Sequence, residues 1–100
     1  MTEQESLFNS IGEKLGEKSQ MFGKPCYKVN KKAFACFFQN AMVFKLTDEA
    51  HKKALSLDGS QLFDPSGKGR AMKEWVQVPF DYKEQWKGFA EKALEYVGDR

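Results

Sequence analysis

The sequence predicts an α+β domain in which helices pack on an antiparallel β-sheet, with elements in the order α-β-β-β-α-β-β-α. Three observations carry this. Apolar residues recur at helical spacing near both ends and briefly in the middle, and between these stretches the period falls toward two. The links between the period-two runs are two or three residues long, too short for the crossover that parallel strands need. Helical and strand patterns are therefore segregated rather than alternating, which is the signature of α+β packing. At 100 residues the chain is a single domain, 1–100, because either half would be too small to bury a core of its own.

Thr2-Glu3-Gln4-Glu5 forms a capping box, and Leu7, Phe8, Ile11 and Leu15 follow as an apolar stripe. This predicts a first helix that fades between Gly16 and Ser19. Three strand-like runs come next, over residues 21–29 (interrupted by Gly23 and Pro25), 33–39 and 42–46. Asn30-Lys31-Lys32 and Asn40-Ala41 connect them, so the three strands are expected as neighbours in a meander. Thr47-Asp48-Glu49 predicts the cap of a short helix through Ala50, Ala54 and Leu55, with Lys52 and Lys53 placed as the helix dipole prefers. Asp58-Gly59 ends it.

Leu62-Phe63-Asp64 and residues 72–78 read as a second pair of strands around the turn Pro65-Ser66-Gly67-Lys68-Gly69, with Pro79 as the stop. A box-like cap at 81–84 opens the last helix. There Trp86, Phe89, Ala90, Ala93, Leu94 and Val97 fall at i, i+3, i+4, i+7, i+8 and i+11, the clearest helical stripe in the chain.

With 41% hydrophobic and 30% charged residues the composition is that of a folded globular protein. The longest apolar run spans six residues, 33–38, where a membrane helix needs about twenty. The acidic start Met1-Thr2-Glu3-Gln4-Glu5 is unlike the basic lead of a secretion signal. A cytoplasmic protein with no membrane association is expected, and its two cysteines are expected as thiols.

The formal net charge is +2, yet residues 24–73 hold ten basic groups against four acids, a local +6, while each flank sums to −2. If these lysines share a face, an anionic partner such as nucleic acid is plausible; alternatively they guard the edges of the sheet against unwanted pairing.

The chemistry-bearing residues are few. His51 is the lone histidine and is expected to be solvated. A three-residue loop pairing Val29 with Ala33 would set Cys26 and Cys36 opposite each other on adjacent strands, but two thiols fall short of the four ligands a zinc site requires. Pro65-Ser66-Gly67-Lys68-Gly69-Arg70 resembles a phosphate-cradling loop only superficially: it joins two strands and has no Ser or Thr after the lysine. Carboxylates paired for acid/base work are absent. No catalytic residue, cofactor or metal is therefore expected, and the chain reads as a non-enzymatic protein.

Met21-Phe22-Gly23, Ala33-Phe34-Ala35, Met42-Val43-Phe44-Lys45-Leu46 and the run from Gly69-Arg70-Ala71-Met72 through Lys73-Glu74-Trp75-Val76-Gln77-Val78-Pro79 occur in an order that resembles the TfoX N-terminal domain family, over about residues 20–97. Lys24 stands where the family often has a second glycine, and Ala71 where it often has proline. The resemblance, which extends in fold to the YjbR-like proteins, implies an α+β domain with an antiparallel sheet. It also implies bacterial origin and a small regulatory or interaction module. It carries over no catalytic residue. The regulator of competence that gives the family its name has a further C-terminal domain, with no counterpart in these residues.

The strand faces supply a final expectation. Phe34, Cys36 and Phe38 alternate with Ala33, Ala35 and Phe37, so that strand is apolar on both sides; Lys73, Trp75 and Gln77 likewise oppose Met72, Val76 and Val78. Helices on one side leave the other uncovered. The candidate interaction surface is Lys24, Tyr27, Lys28, Phe38, Lys45, Lys68, Arg70, Lys73 and Trp75, with Trp75 near its centre. A protein partner or a homodimer is expected there, and nucleic acid is the alternative partner.

Overall fold

A computed structural model describes residues 2–21, 23–64 and 72–98. Helix α1 spans Glu3–Leu15, and the Thr2 hydroxyl accepts a hydrogen bond from the Glu5 backbone N–H at 3.1 Å, as the capping box requires. Strands β1 (Glu17–Met21), β2 (Lys24–Val29), β3 (Lys32–Phe38) and β4 (Ala41–Lys45) follow, then α2 (Asp48–Ser56), β5 (Gln61–Phe63) and β6 (Met72–Val78). A 3-10 turn at Phe80–Tyr82 leads into α3, Lys83–Gly98. The α+β class and the antiparallel pairing are as the sequence predicts.

One element is additional. Residues 17–21 are not the fraying end of a helix but an edge strand paired with β2, with Ser19 opposite Cys26. Glu17-Lys18-Ser19-Gln20 carries no apolar alternation, so its extended form comes from the partner strand rather than from its own pattern. Gly16 makes the corner: a Cβ there would lie 2.7 Å from the Phe34 ring and closer still to the Lys28 carbonyl, so a side chain would push α1 and β1 off the sheet.

The six strands run β1-β2-β3-β4-β6-β5, every pairing antiparallel. The β2–β3 and β3–β4 links are two-residue turns, Asn30-Lys31 (φ 50° and 67°) and Gln39-Asn40 (φ 49° and 62°). Positive φ at both central residues marks a type I′ turn, whose twist matches that of the flanking strands.

The β2–β3 register contains a bulge. Lys28 faces Ala33 and Tyr27 faces Ala35, which leaves Phe34 as the extra residue. Phe34 therefore turns to the same side as Ala35, and both are fully buried in the main core. Strict alternation, which groups Phe34 with Cys36 and Phe38, fails here. The inserted residue also compensates for the shorter turn, so Cys26 still faces Cys36.

All three helices pack on one face. Phe8 and Ile11 of α1, Ala54 of α2, and Trp86, Phe89, Ala90, Ala93 and Val97 of α3 join Tyr27, Phe34, Ala35, Met42, Phe44, Val76 and Val78 from the sheet. Aromatic rings meet edge-on or tilted through this layer, with Phe8 5.1 Å from Tyr27 and Phe44 5.7 Å from Phe89.

The opposite face is not left bare. Cys26, Cys36, Val43, Phe63 and Trp75 form a second apolar cluster, each no more than 5% exposed. Curvature accounts for this. Phe38 on β3 and Phe63 on β5 are three strand steps apart, about 14 Å across a flat sheet, yet their ring centroids are 5.3 Å apart. The sheet curls around this cluster, and Trp75 lies within it, 6.5 Å from Phe63. The expectation of an exposed Trp75 is thereby corrected: it is core.

Candidate interaction surface on the helix-free sheet face

Side chains alternate along a strand, so register decides which candidate residues share a face. Cys26, Cys36 and Trp75 belong to the helix-free cluster, against which Phe38 of β3 also packs, and parity places Lys24 and Lys28 of β2 on that side too; the β5–β6 register shifts between Leu62 and Phe63, so alternation assigns Lys73 no face. Lys45 stands opposite Trp75 in the β4–β6 register. Five of the nine candidates thus share this side: Lys24, Lys28, Phe38, Lys45 and Trp75. Trp75 forms part of the floor rather than the surface. Lys68 and Arg70, with the turn at 65–69, lie outside the described residues.

Tyr27 is the misplaced member. It is fully buried on the helix side, where its hydroxyl donates to Asn9 Oδ1 at 2.8 Å. Burial, reinforced by the Glu13 carboxylate, pushes its phenol above the ordinary tyrosine value. The expectation that grouped Tyr27 with Lys24 and Lys28 is corrected: side chains alternate along β2, and α1 covers the side that Tyr27 takes.

The lysines differ in their surroundings. Lys24 lies over the Phe38 ring, 4.9 Å from its centroid, so the half-buried ring carries a cation on its face. Lys28 is close enough to Cys26 for its ammonium to favour the thiolate, although burial dominates and raises that thiol. Lys45 reaches Glu74 at 3.6 Å, and Glu74 in turn accepts a hydrogen bond from the Tyr96 hydroxyl at 2.8 Å. Lys73 is exposed. Positive charges thus border an apolar floor, an arrangement suited to holding an anionic surface.

His51 departs from the expected solvated state. It is half-buried, and its Nε2 lies 2.7 Å from the Lys73 carbonyl. A carbonyl can only accept, so Nε2 carries the proton and the ring clasps α2 to β6. The α2 cap differs as well. Thr47 occupies the N-cap position, but its side chain makes no capping hydrogen bond, and Asp48 opens the helix with φ 54°.

An open groove runs between α2 and α3, where Asp48, Glu49 and Lys53 face Glu84, Lys92 and Tyr96. Sequence reasoning missed it because its two walls lie more than thirty residues apart, each reading as an ordinary solvated helix face. Its mixed charges converge on no single ligand. Among the described residues no group of three or more His, Cys, Asp or Glu side chains is placed to hold a metal ion, and no helix is long and apolar enough to cross a membrane.

No protein-family model matches this chain, and no curated protein and no solved structure is similar enough to it to count as a match.

Proposed function

We propose that this protein is a small non-enzymatic regulatory or protein-interaction module, and that it works through the helix-free face of its sheet. One observation carries the reading: strand parity sets Lys24, Lys28 and Lys45 on the side no helix covers, with Lys24 over the half-buried Phe38 ring. Charges of one sign above an apolar floor favour an acidic partner surface, which the lysines would steer and orient. The likeness of the sequence blocks to the TfoX N-terminal domain family supports a regulatory setting in a bacterial cytoplasm. The site offers no convergent acid, base and nucleophile, so binding rather than turnover is the activity proposed.

The test is affinity capture with the full chain from a bacterial lysate, run beside a Lys24→Glu/Lys28→Glu variant whose folding is checked by circular dichroism. Proteins retained by the native chain and lost from the folded variant support the reading. Identical retention by both would remove this face as the working surface.

Nucleic acid is the second partner class, favoured by the net +6 of residues 24–73 and by Phe38 as a half-exposed ring beside Lys24. Phosphate contacts are strongest at low salt. Fluorescence anisotropy with single- and double-stranded probes at low ionic strength separates the two readings, since the absence of binding there eliminates the nucleic-acid one.

A further inference from the structure

We propose that Cys26 and Cys36 form a redox site, a cross-strand dithiol that closes to an intramolecular disulfide. The two residues are direct partners in the β2–β3 register. Antiparallel partners have Cα atoms about 4.5 or 5.5 Å apart, depending on the pair type, and both values lie within the span a disulfide bridges. The side chains face the same side, within the same apolar cluster, and each sulfur perturbs the other. Direct cross-strand partners on one face are within the reach of a disulfide. The bulge at Phe34 is what sets this register, since a two-residue turn with regular pairing would leave the cysteines one residue out of step.

The environment distinguishes the two thiols. The Cys36 thiol is pushed up by burial first and then by the neighbouring Cys26 sulfur. The Lys28 ammonium stabilises the Cys26 thiolate, while burial pushes both thiols up and Cys36 strongly. Cys26 is therefore the attacking group and Cys36 the resolving one. With a small-molecule disulfide such as glutathione disulfide as oxidant, the Cys26 thiolate attacks one sulfur and expels a glutathione thiolate. Cys36, deprotonated, then attacks the Cys26 sulfur of the mixed disulfide and expels the second. The two cysteine protons end on the two released glutathiones, and the two electrons reduce the oxidant's S–S bond.

Burial sets the rate. Cys26 is 0% and Cys36 1% exposed, so the first attack waits on a local opening. The five-residue edge strand β1, which flanks Cys26 through Ser19 and has no strand on its other side, is the element least costly to release.

The test equilibrates the full chain with glutathione disulfide, both as the native protein and through unfolding and refolding in the same buffer. An acid quench, maleimide labelling under denaturing conditions and intact mass follow. The expected result is loss of both reactive thiols, a mass lower by two hydrogens, and a tryptic cross-link joining peptides 19–28 and 33–45. The Cys36→Ser variant should stop at one glutathione adduct on Cys26. Two labelled thiols after refolding, stable glutathione adducts on the native sequence, or a disulfide joining two chains would each overturn the proposal.

Discussion

Gly12 lies flat against the ring of Tyr27: a Cβ at position 12 would be 2.6 Å from Tyr27 Cγ and nearer still to Cδ2 and Cε2. Asn9, one turn earlier on α1, receives the hydroxyl of the same tyrosine at 2.8 Å. Two positions of one helix face thus grip both ends of one β2 side chain, and this fixes how α1 seats on the sheet.

Gly12→Ala is expected to destabilise the protein by about 1–3 kcal/mol, because the Tyr27 ring is boxed in by Phe8 at 5.1 Å and cannot yield to an added methyl. Gly88→Ala is the control. Position 88 is helical and exposed with nothing within 4 Å, so alanine should stabilise by up to about 1 kcal/mol through helix propensity alone. Urea midpoints that move in opposite directions confirm the contact; a shift of the same sign in both refutes it.

Tyr27→Phe should cost roughly 1–2 kcal/mol, the net value of a buried hydrogen bond and the desolvated acceptor it leaves. It should also change the alkaline limb of the stability curve. The native phenol is held above the ordinary value near 10, so the stability it contributes is complete below that pH and is lost as pH rises toward the native value. The wild type should therefore lose stability more steeply than Tyr27→Phe above pH 10. Parallel alkaline limbs would place the tyrosine's titration outside the folding equilibrium.

Trp75→Ala should destabilise by about 3–5 kcal/mol, as for a large core aromatic, because Trp75 is 5% exposed and packs with Phe63 inside the curled face. Chemical denaturation of the variant decides the point. A folded variant of near-native stability would mean that the helix-free cluster is not a core.

The elements whose own residues carry the pattern were legible in the sequence. The stripe from Trp86 to Val97 specifies α3 without help from the rest of the chain, and five of its six positions, Trp86, Phe89, Ala90, Ala93 and Val97, are buried. What required the third dimension was different in kind. Glu17–Met21 becomes a strand only because β2 offers it hydrogen bonds. Phe34 changes sides through a bulge that no residue type announces, and Trp75 is covered by the bending of the sheet rather than by another element. The candidate surface in the sequence follows charge and aromatic type rather than strand parity: Lys24, Lys28 and Phe38 do share a side, but Tyr27, one residue from Lys28, alternates to the side the helices cover.

Lys31→Gly should stabilise the β2–β3 hairpin by about 1 kcal/mol. Lys31 holds φ 67° at the second central position of a type I′ turn, where a side chain bears the left-handed penalty and glycine bears none. Asn30, at φ 50°, already tolerates that region, so the substitution completes the Asn-Gly pair such turns favour. Part of the gain is offset because glycine also frees the unfolded chain. The position is exposed, so packing does not enter. A thermal midpoint above that of the wild type is the expected outcome, and the matching change Asn40→Gly should give less, since asparagine at φ 62° is strained less than lysine. A larger gain at 40 than at 31 would contradict the assignment of the strain to Lys31.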